Sequence, residues 1–291
     1  MKILYIGAFD DHSKSTNNSQ YRALKKLNHQ VIQHNYRIVE QRDGTSKCNN
    51  DLIDDIRKEK YDLVLISKGS MENSVVTQMC ELTTVGLWYM DPLVPTSFSA
   101  EVQERCGIVH FVCCDKLNVL EECRKLNPNS YHVCEGFDGD VDKHFPGEKE
   151  IDVSFIGDIY GNRLSVLQGC GCPIAVIQGA YGVYHAMAVS KSKINLNVVT
   201  AQGASDRVYK IMAAGGFLLT DDWIGREEMF EDNKHLVIFR NPQDLAQKIR
   251  FYLEHPDLRE QIARQGCEQV QEYNRDAWAH GIMQAFEQHE H

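Results

Sequence analysis

Short runs of apolar residues alternate with amphipathic stretches along the first part of the chain. The runs are about five residues long and apolar throughout, which is typical of strands in a parallel sheet that helices cover on both faces. The predicted strands are Ile3–Ala8, Gln30–Gln33, Asp62–Ser67, Val85–Met90, Ile108–Cys114 and Tyr131–Cys134. The predicted helices are Ser19–Leu27, Asn50–Lys58, Ser74–Leu82 and Lys116–Lys125. This strict alternation predicts a doubly wound α/β sheet.

The alternation stops at Glu135–Glu150, a segment rich in Gly, Asp and Pro that we interpret as a linker, and then starts again. The later predicted strands are Ile151–Ile156, Pro173–Gln178, Ile194–Val199, Phe217–Thr220 and His235–Phe239. The later predicted helices are Asn162–Leu167, Val183–Ser190, Arg207–Ala214, two that begin at Pro242 and Asp257, and Asp276–Gln288. We therefore expect two Rossmann-like domains that face a cleft, at residues 1–140 and 146–275. Residues 276–291 are expected to form a C-terminal helix, which in related folds crosses back to the N-terminal domain.

Composition narrows the compartment and the partners of the protein. Of 291 residues, 43% are hydrophobic, which is enough for two domains that each have a hydrophobic core. The net charge is -10 and the chain has no basic run, which disfavours nucleic acid and anionic membranes as binding partners. No apolar run is long enough to cross a bilayer, and the N-terminus lacks the pattern of a signal peptide. Ten cysteines without a C-x-x-C pair predict reduced core thiols, neither zinc ligands nor disulfides. These features predict a soluble cytoplasmic protein.

A transition from strand to loop to helix at residues 155–163 forms the first candidate binding site. Gly157 lies in the loop, and Arg163 lies in the first turn of the predicted helix. Backbone N–H groups at a helix N-terminus bind anions, and a nearby guanidinium adds further donors. A tight turn with a solvent-exposed arginine explains the segment equally well. The dinucleotide fingerprint G-x-G-x-x-G is absent from the chain, which counts against an NAD-dependent enzyme.

The second candidate site begins in a polar, glycine-containing loop that enters a helix through Ser205 or Asp206 as the N-cap. Arg207 and Lys210 lie three positions apart, so both are expected to project from one side of the first helical turn. Two cations in a first turn are electrostatically unfavourable unless an anion is present. The alternative is an ordinary helix whose charges are solvated.

Asp221 and Asp222 follow the next predicted strand. They lie at the C-terminal edge of the sheet, where doubly wound sheets hold their ligands. The segment from Ser205 to Asp222 is therefore predicted to hold a phosphorylated ligand. By contrast, His185 is expected on the surface of its own helix, where it would have no role in such a site.

These segments together resemble a known family. The segments Arg207–Asp222, Glu227–Glu231, Lys234–Phe239 and Pro242–Glu272 look like the C-terminal domain of GT-B glycosyltransferases, most of all the group-1 branch that includes the spore maturation protein CgeB. Three further segments resemble motifs of that branch: Phe155–Gly157 with Arg163, Ser192–Asn197, and Trp88–Pro92, the last similar to a W-x-x-D motif of the N-terminal domain. The resemblance is good over roughly residues 151–285 and faint over residues 1–140.

The resemblance implies a metal-independent, hexosyltransferase-type enzyme that transfers a sugar from a nucleotide-diphosphate sugar with retention and uses no cofactor. The implied catalytic residues are Asp91, Arg207 and Lys210. The implied donor-binding residues are Gly157, Arg163, Asn197, Ser205, Asp206, Arg207, Lys210, Asp221, Asp222 and Glu228. The residues implied on the acceptor side, in the N-terminal domain, are Gly7 and Asp91. The acceptor is open between a glycan, a protein and a small molecule, with modified DNA disfavoured by the net charge.

The chain departs from this family at one point. Many retaining members carry two glutamates eight positions apart, and here the matching positions hold Gln202 and Lys210. The carboxylate that would accept the ribose hydroxyls is then missing, unless another acid replaces it, such as Asp221, Asp222 or Glu228. The departure leaves open a catalytically silent sugar-nucleotide-binding protein. A sugar-nucleotide epimerase of GT-B shape is a second alternative, and it would need an acid/base pair.

Overall fold

The computed structural model describes residues 1–9, 15–67 and 71–289. Contacts between residues divide the chain into two compact units: Met1–Glu135 together with Arg275–His291, and Gly136–Asn274. The first unit thus ends at the start of the segment predicted to be a linker. Within the described residues, no helix is long and apolar enough to span a bilayer.

The first unit is built on a parallel sheet whose strand order is β2-β1-β3-β4-β5-β6. Its strands are β1 (Lys2–Gly7), β2 (Gln30–Asn35), β3 (Leu63–Ile66), β4 (Thr84–Tyr89), β5 (Phe111–Cys114) and β6 (Ser130–His132). The helices between them are α1 (Thr16–Lys26), α2 (Tyr36–Asp43), α3 (Thr45–Glu59), α4 (Asn73–Cys80), α5 (Ala100–Ile108) and α6 (Leu117–Leu126). Apolar clusters cover both faces of this sheet, as its apolar strands require.

Two helices of the first unit were not predicted from the pattern of apolar residues. Helix α2 has no buried residue, so it shows no apolar periodicity. Helix α5 buries only Arg105 and Cys106, and its N-cap Ser99 accepts a hydrogen bond from the N–H of Val102 at 3.4 Å. The strand predicted from Ile108 was therefore wrong at its start, because Ile108 ends α5 and β5 begins at Phe111.

The second unit is also built on a parallel sheet, with the order β11-β10-β9-β7-β8. Its strands are β7 (Ile151–Ile156), β8 (Ala175–Ile177), β9 (Ser192–Asn197), β10 (Leu218–Thr220) and β11 (Val237–Ile238). Its helices are α7 (Arg163–Gly169), α8 (Val183–Ser190), α9 (Asp206–Ala213), α10 (Pro242–Glu254) and α11 (Pro256–Gln269). The two sheets confirm the predicted α/β fold of two Rossmann-like domains.

The last helix, α12 (Arg275–His289), packs against α1 and β5 of the first unit. Its Trp278 is buried and meets Trp88 of β4 edge to face, with ring centroids 5.7 Å apart. Each large apolar side chain buried in this way contributes about 1.5–3 kcal/mol. At the start of the helix, buried Arg275 donates from Nε to Ser19 Oγ at 3.0 Å.

The two sheets share one strand order. In each, the first strand in sequence lies between the second and the third, as in flavodoxin-like sheets. The chain therefore leaves β1 and β3 on opposite sides of the first sheet, and β7 and β9 on opposite sides of the second. Ligands of doubly wound sheets bind at the carboxyl ends of the strands flanking this switch point.

Candidate anion-binding site

The guanidinium of Arg207 lies against the backbone just beyond the end of β7. Gly157 follows that strand with a φ of +141°, and a Cβ built there would lie 2.6 Å from Nη2 of Arg207. The guanidinium also lies over the ring of Phe155, with Cζ 4.9 Å from the ring centroid. Position 157 therefore requires glycine for two reasons: its backbone conformation, and the guanidinium of Arg207 in the space that a side chain would occupy.

Arg163, at the start of α7, lies at the same edge of the sheet. It is only 2% exposed, and its Cζ stacks 3.8 Å from the centroid of the Tyr160 ring. Its Nη1 donates to the carbonyl of Asp158 at 2.9 Å, and its Nε donates to the carbonyl of Val198 at 3.4 Å. The alternative of a solvent-exposed arginine in a tight turn is therefore wrong.

The two guanidinium groups are close enough to influence each other. Burial and, after it, the positive charge of Arg163 together lower the pKa of Arg207 to about 10. Within the described residues, neither arginine forms an ion pair with a carboxylate. Two like charges in a partly buried position repel each other, and a bound anion would relieve that repulsion.

Asn197, the last residue of β9, holds the site together. It is fully buried, and its Oδ1 accepts hydrogen bonds from Nη1 of Arg207 at 3.0 Å and from Oγ of Ser205 at 3.2 Å. Its Nδ2 donates to Oγ1 of Thr220 in β10 at 3.0 Å. Ser205 is the N-cap of α9 in its backbone conformation, but its hydroxyl is directed to Asn197 and caps no N–H of the helix. One amide thus fixes Arg207 relative to two neighbouring strands.

Lys210 has a different position from the one its spacing predicts. It lies in the last turn of the short helix α9, and its ammonium forms a close ion pair with Asp206 of the same helix. The prediction that Arg207 and Lys210 share the first turn was therefore wrong, because the helix begins at Asp206, one residue before its predicted start. The argument from uncompensated cations applies to Arg207 and Arg163, but not to Lys210.

The paired aspartates after β10 are directed to different partners. Asp221 accepts a hydrogen bond from the N–H of Val199 at 2.7 Å, and burial raises its pKa to about 6. Asp222 is half exposed and accepts from Nε of Arg226 at 3.0 Å. The two therefore do not act as one acidic pair.

Two further positions named by the family pattern lie near the surface. Glu228 is exposed in a short 3-10 helix, Arg226–Glu228. Gln202, where the family has a glutamate, is exposed in a turn with a φ of +55°. In the part of the chain that the structure describes, neither side chain forms a hydrogen bond with Arg163 or Arg207.

His185 in α8 is buried, which contradicts its predicted place on the surface. It is 7% exposed, and neither ring nitrogen has a hydrogen-bond partner among the described residues. Burial lowers its pKa to about 3, and the charge of Lys210 acts in the same direction. One signal in the sequence pointed to burial, because His185 lies four positions before Val189, which is also buried. Helix α8 is apolar on most sides, however, so the pattern did not show which side faces the core.

The predicted acceptor-side residues lie in the first unit. Gly7 ends β1, and a Cβ there would lie 2.8 Å from Oδ1 of the buried Asn17. Asp91 follows β4 and is partly buried. Gly7 therefore makes room for a buried amide, as Gly157 makes room for a guanidinium.

A buried charged pair that the sequence did not reveal lies at the same edge of the first sheet. Lys116 donates from Nζ to Oδ2 of Asp115 at 2.9 Å and to the carbonyl of Met90 at 2.5 Å. Burial acts to lower the pKa of Lys116, but Asp115 and Glu135 outweigh it, so the net shift is upward. Among the described residues, no group of three His, Cys, Asp or Glu side chains is placed to hold a metal ion.

The C-terminal half of the chain matches a known protein family. Residues 146–285 match the family described as glycosyl transferase-like. No curated protein sequence matches the chain.

Three solved structures share the fold over almost the whole chain. HepE of Anabaena, in complex with UDP-glucose, is 11% identical with a TM-score of 0.73, covering 99% of this chain and 100% of that one. A glycosyltransferase of Rickettsia africae is 12% identical with a TM-score of 0.72, covering 99% and 98%. Sucrose-phosphate synthase of Thermosynechococcus elongatus is 11% identical with a TM-score of 0.72, covering 99% and 98%. At these identities the likeness concerns the fold, and it confirms the GT-B architecture. Residues 146–285 therefore match a family described as glycosyl transferase-like, and the chain has the GT-B fold.

Proposed function

We propose that the protein is a glycosyltransferase that binds the diphosphate of a nucleotide-diphosphate sugar at Arg163 and Arg207. The observation that carries this proposal is the meeting of two guanidinium groups, without carboxylate partners among the described residues, at the switch point between β7 and β9. The glycosyl transferase-like domain supports it, because both arginines lie inside that domain. UDP-glucose, the ligand of HepE, is the first donor to test.

The chemistry of the transfer explains what such a site would do. As the bond between sugar and diphosphate breaks, negative charge concentrates on the leaving diphosphate while the sugar becomes oxocarbenium-like. Fixed cations stabilise this charge more in the transition state than in the ground state. Asn197 fixes Arg207 by a hydrogen bond, and Gly157 leaves room for its guanidinium, so little reorganisation is needed on binding.

Other donor-side roles are part of the same proposal. Ser205 and Asp206 lie at the start of α9 and Lys210 lies in its last turn, while Asp221 accepts a hydrogen bond from the N–H of Val199. The ammonium of Lys210 pairs with Asp206, so a contact with phosphate requires it to turn from that carboxylate or to bridge the two anions. Its catalytic role is therefore conditional on one of these changes. Asp222 and Glu228 are assigned to the periphery of the donor site, because both are exposed.

The remaining parts of the proposal concern the acceptor and the reaction course. Gly7 and Asp91 are assigned to the acceptor side, with Asp91 as a catalytic residue, and the acceptor is a glycan, a protein or a small molecule. We further propose retention of configuration, metal-independent transfer without a cofactor, a place in the group-1 branch that includes CgeB, and a cytoplasmic location.

The deciding experiment incubates the purified protein with a panel of nucleotide-diphosphate sugars and candidate acceptors and measures released nucleotide. Release that depends on one sugar nucleotide and one acceptor is the expected result. Tight binding without turnover, across all acceptors, would instead establish the silent binding protein that Gln202 and Lys210 leave open. A 2-epimer of the sugar nucleotide, detected by NMR, would establish the epimerase.

A further inference from the structure

Two aromatic rings contact the guanidinium groups of the anion-binding site. Phe155 of β7 is fully buried, and both guanidinium groups lie over its ring, with Cζ of Arg207 4.9 Å and Cζ of Arg163 5.7 Å from the centroid. Tyr160, in the loop between β7 and α7, lies closer, with its centroid 3.8 Å from Cζ of Arg163. The quadrupole of an aromatic ring makes its face negative, so these contacts are attractive.

Tyr160 differs from Phe155 in its exposure. Tyr160 is 51% exposed, whereas Arg163, whose guanidinium it covers, is only 2% exposed. The hydroxyl of Tyr160 makes no hydrogen bond within the described residues. The face of the ring is therefore the part of Tyr160 that interacts with the rest of the second unit.

The other contacts that hold Arg163 are weaker than this stacking. Its Nη1 donates to the carbonyl of Asp158 at 2.9 Å, but its Nε donates to the carbonyl of Val198 at 3.4 Å, which is long for a hydrogen bond. The positive charge of Arg207 repels the guanidinium. Arg163 therefore needs a further contact to keep its position beside a like charge, and the ring of Tyr160 supplies one.

Stacking on Tyr160 leaves Arg163 able to bind an anion. A guanidinium carries its N–H donors in its plane, so a ring on its face does not compete with an acceptor at its edge. Nε and Nη1 of Arg163 are engaged by carbonyls, whereas Nη2 has no hydrogen-bond partner in the part of the chain that the structure describes. Nη2 is therefore the donor group left for a phosphate oxygen.

We propose that Tyr160 is a positioning residue of the anion-binding site. The negative face of its ring fixes the plane of the Arg163 guanidinium and so directs Nη2 to the diphosphate of the donor. The ring also excludes water from the guanidinium, which strengthens an electrostatic contact with phosphate. The inference rests on the proposed function, because it takes the diphosphate to lie at Arg163 and Arg207.

The test compares side chains at position 160 by calorimetric titration with UDP-glucose. Phenylalanine keeps the negative face of the ring, pentafluorophenylalanine keeps the ring but reverses its quadrupole, and leucine removes the ring. Tyr160→Phe should bind as the wild type does, whereas the leucine and pentafluorophenylalanine variants should bind about threefold to tenfold more weakly. Tyr184→Leu, which removes another exposed tyrosine of the second unit, is the matched control and should not change the affinity.

Three outcomes of this comparison would overturn the proposal. Equal affinity in the wild type and Tyr160→Leu would show that the ring has no role in binding. Equal affinity in the phenylalanine and pentafluorophenylalanine variants would show that the ring acts only by its bulk. Weakened binding by Tyr160→Phe would assign the effect to the hydroxyl. Each variant is titrated well below its melting temperature, so that partial unfolding does not contribute.

A second measurement needs no ligand. The ring current of Tyr160 should shift the Nε–H proton of Arg163 upfield in the NMR spectrum, and the signal is assigned by its loss in Arg163→Lys. The upfield shift should remain in Tyr160→Phe and largely disappear in Tyr160→Leu. An unchanged frequency in Tyr160→Leu would show that the ring does not cover the guanidinium in solution, which would refute the proposal.

Inorganic pyrophosphate separates the role of Tyr160 from the proposed transfer reaction, and the variants are titrated with it as well. If the wild type binds pyrophosphate or UDP-glucose but transfers no sugar, the proposed function fails, and the difference between Tyr160→Phe and Tyr160→Leu still decides the role of Tyr160. If the wild type transfers sugar and Tyr160→Leu binds equally well, only the role of Tyr160 fails. If the wild type binds neither compound, the anion-binding site fails and the role of Tyr160 fails with it.

Discussion

The two units share a strand order, but they fill the equivalent switch points with opposite kinds of side chain. Between β1 and β3, the described residues form a buried, uncharged network. Nδ2 of Asn17 donates to Tyr5 Oη at 2.8 Å, to Gln20 Oε1 at 3.0 Å and to Ser67 Oγ at 2.8 Å. Between β7 and β9 the same place holds the guanidinium groups of Arg163 and Arg207.

This difference shows how one backbone topology serves two purposes. In the first unit the polar atoms bond to one another, apart from Nε2 of Gln20, and Oη of Tyr5 also donates to Oε1 of Gln20 at 2.6 Å. Such a network makes the local structure rigid, because its hydrogen bonds strengthen in a low dielectric. In the second unit two charges are brought together without a counter-ion among the described residues, which costs stability until an anion binds.

The largest effect should come from removing the charges that distinguish the second unit. Replacing Arg207 or Arg163 by Ala should weaken binding of the nucleotide sugar by about 1.5–3 kcal/mol each, as for a hydrogen bond to a charged group. Calorimetry measures the affinity, and the exposed Arg264→Ala serves as the control. Unchanged affinity in both variants would show that the diphosphate binds elsewhere.

Replacing the glycine at each switch point by alanine should affect different properties, ligand affinity in the second unit and stability in the first. Gly157→Ala should displace Arg207 and weaken nucleotide-sugar binding about tenfold, besides the cost of about 1–3 kcal/mol for its backbone conformation. Gly161→Ala is the control, since it also has a positive φ but no atom within 4 Å of its Cβ.

In the first unit, the methyl group of Gly7→Ala should clash with Oδ1 of Asn17 and lower the melting temperature. The affinity for the nucleotide sugar should not change. Thermal denaturation and calorimetry on the same three variants separate the two effects. Equal losses of affinity in Gly157→Ala and Gly7→Ala would remove the distinction between the two switch points.

Adding an internal counter-ion should make the second unit resemble the first. In Asn197→Asp, a carboxylate replaces the amide oxygen that accepts from Arg207 and Ser205. It would pair with the guanidinium and compete with the ligand, so affinity should fall by about 1–2 kcal/mol. The melting temperature should reflect a balance, because the variant gains an ion pair with Arg207 and loses the hydrogen bond from Nδ2 to Oγ1 of Thr220. Affinity equal to that of the wild type, in a folded variant, would argue against Arg207 as a ligand.

The smallest effect concerns Asp221, the acid at the edge of the second site. Its folded-state pKa, about 6, lies above its ordinary value of 3.8, so the folded protein binds more protons than the unfolded chain between these pH values. Stability should therefore fall as the pH rises from about 4 to about 6. Asp221→Asn should remove this fall and be more stable than the wild type by about 1 kcal/mol at pH 7.5, after allowance for solvent screening, and equal to it near pH 4. Thermal unfolding at both pH values measures the difference, and a gap that does not change with pH would refute the assignment.

Apolar periodicity predicted most strands and helices, and it failed where burial is slight. Helix α2 buries nothing, and α3 begins at Thr45 ahead of the predicted Asn50, since its first turns are mostly exposed. The spacing of Arg207 and Lys210 was predicted correctly, but α9 begins at Asp206 and not at Arg207, so Lys210 was placed one turn too early. His185 was misplaced for the opposite reason, because α8 is apolar on most sides and gives no sign of its inner face.

The sequence by itself determined the two parallel sheets and the loop glycine Gly157, because apolar runs and turn residues are local signals. It also placed Arg163 and Arg207 near the carboxyl ends of strands. Only the tertiary structure decided that both arginines lie over the ring of Phe155 and that Lys210 pairs with Asp206. It also decided that His185 is buried with no hydrogen-bond partner among the described residues. The physical reason is that periodicity states which side of an element faces the core. Which ends of different elements come together depends on strand order and packing over long sequence distances.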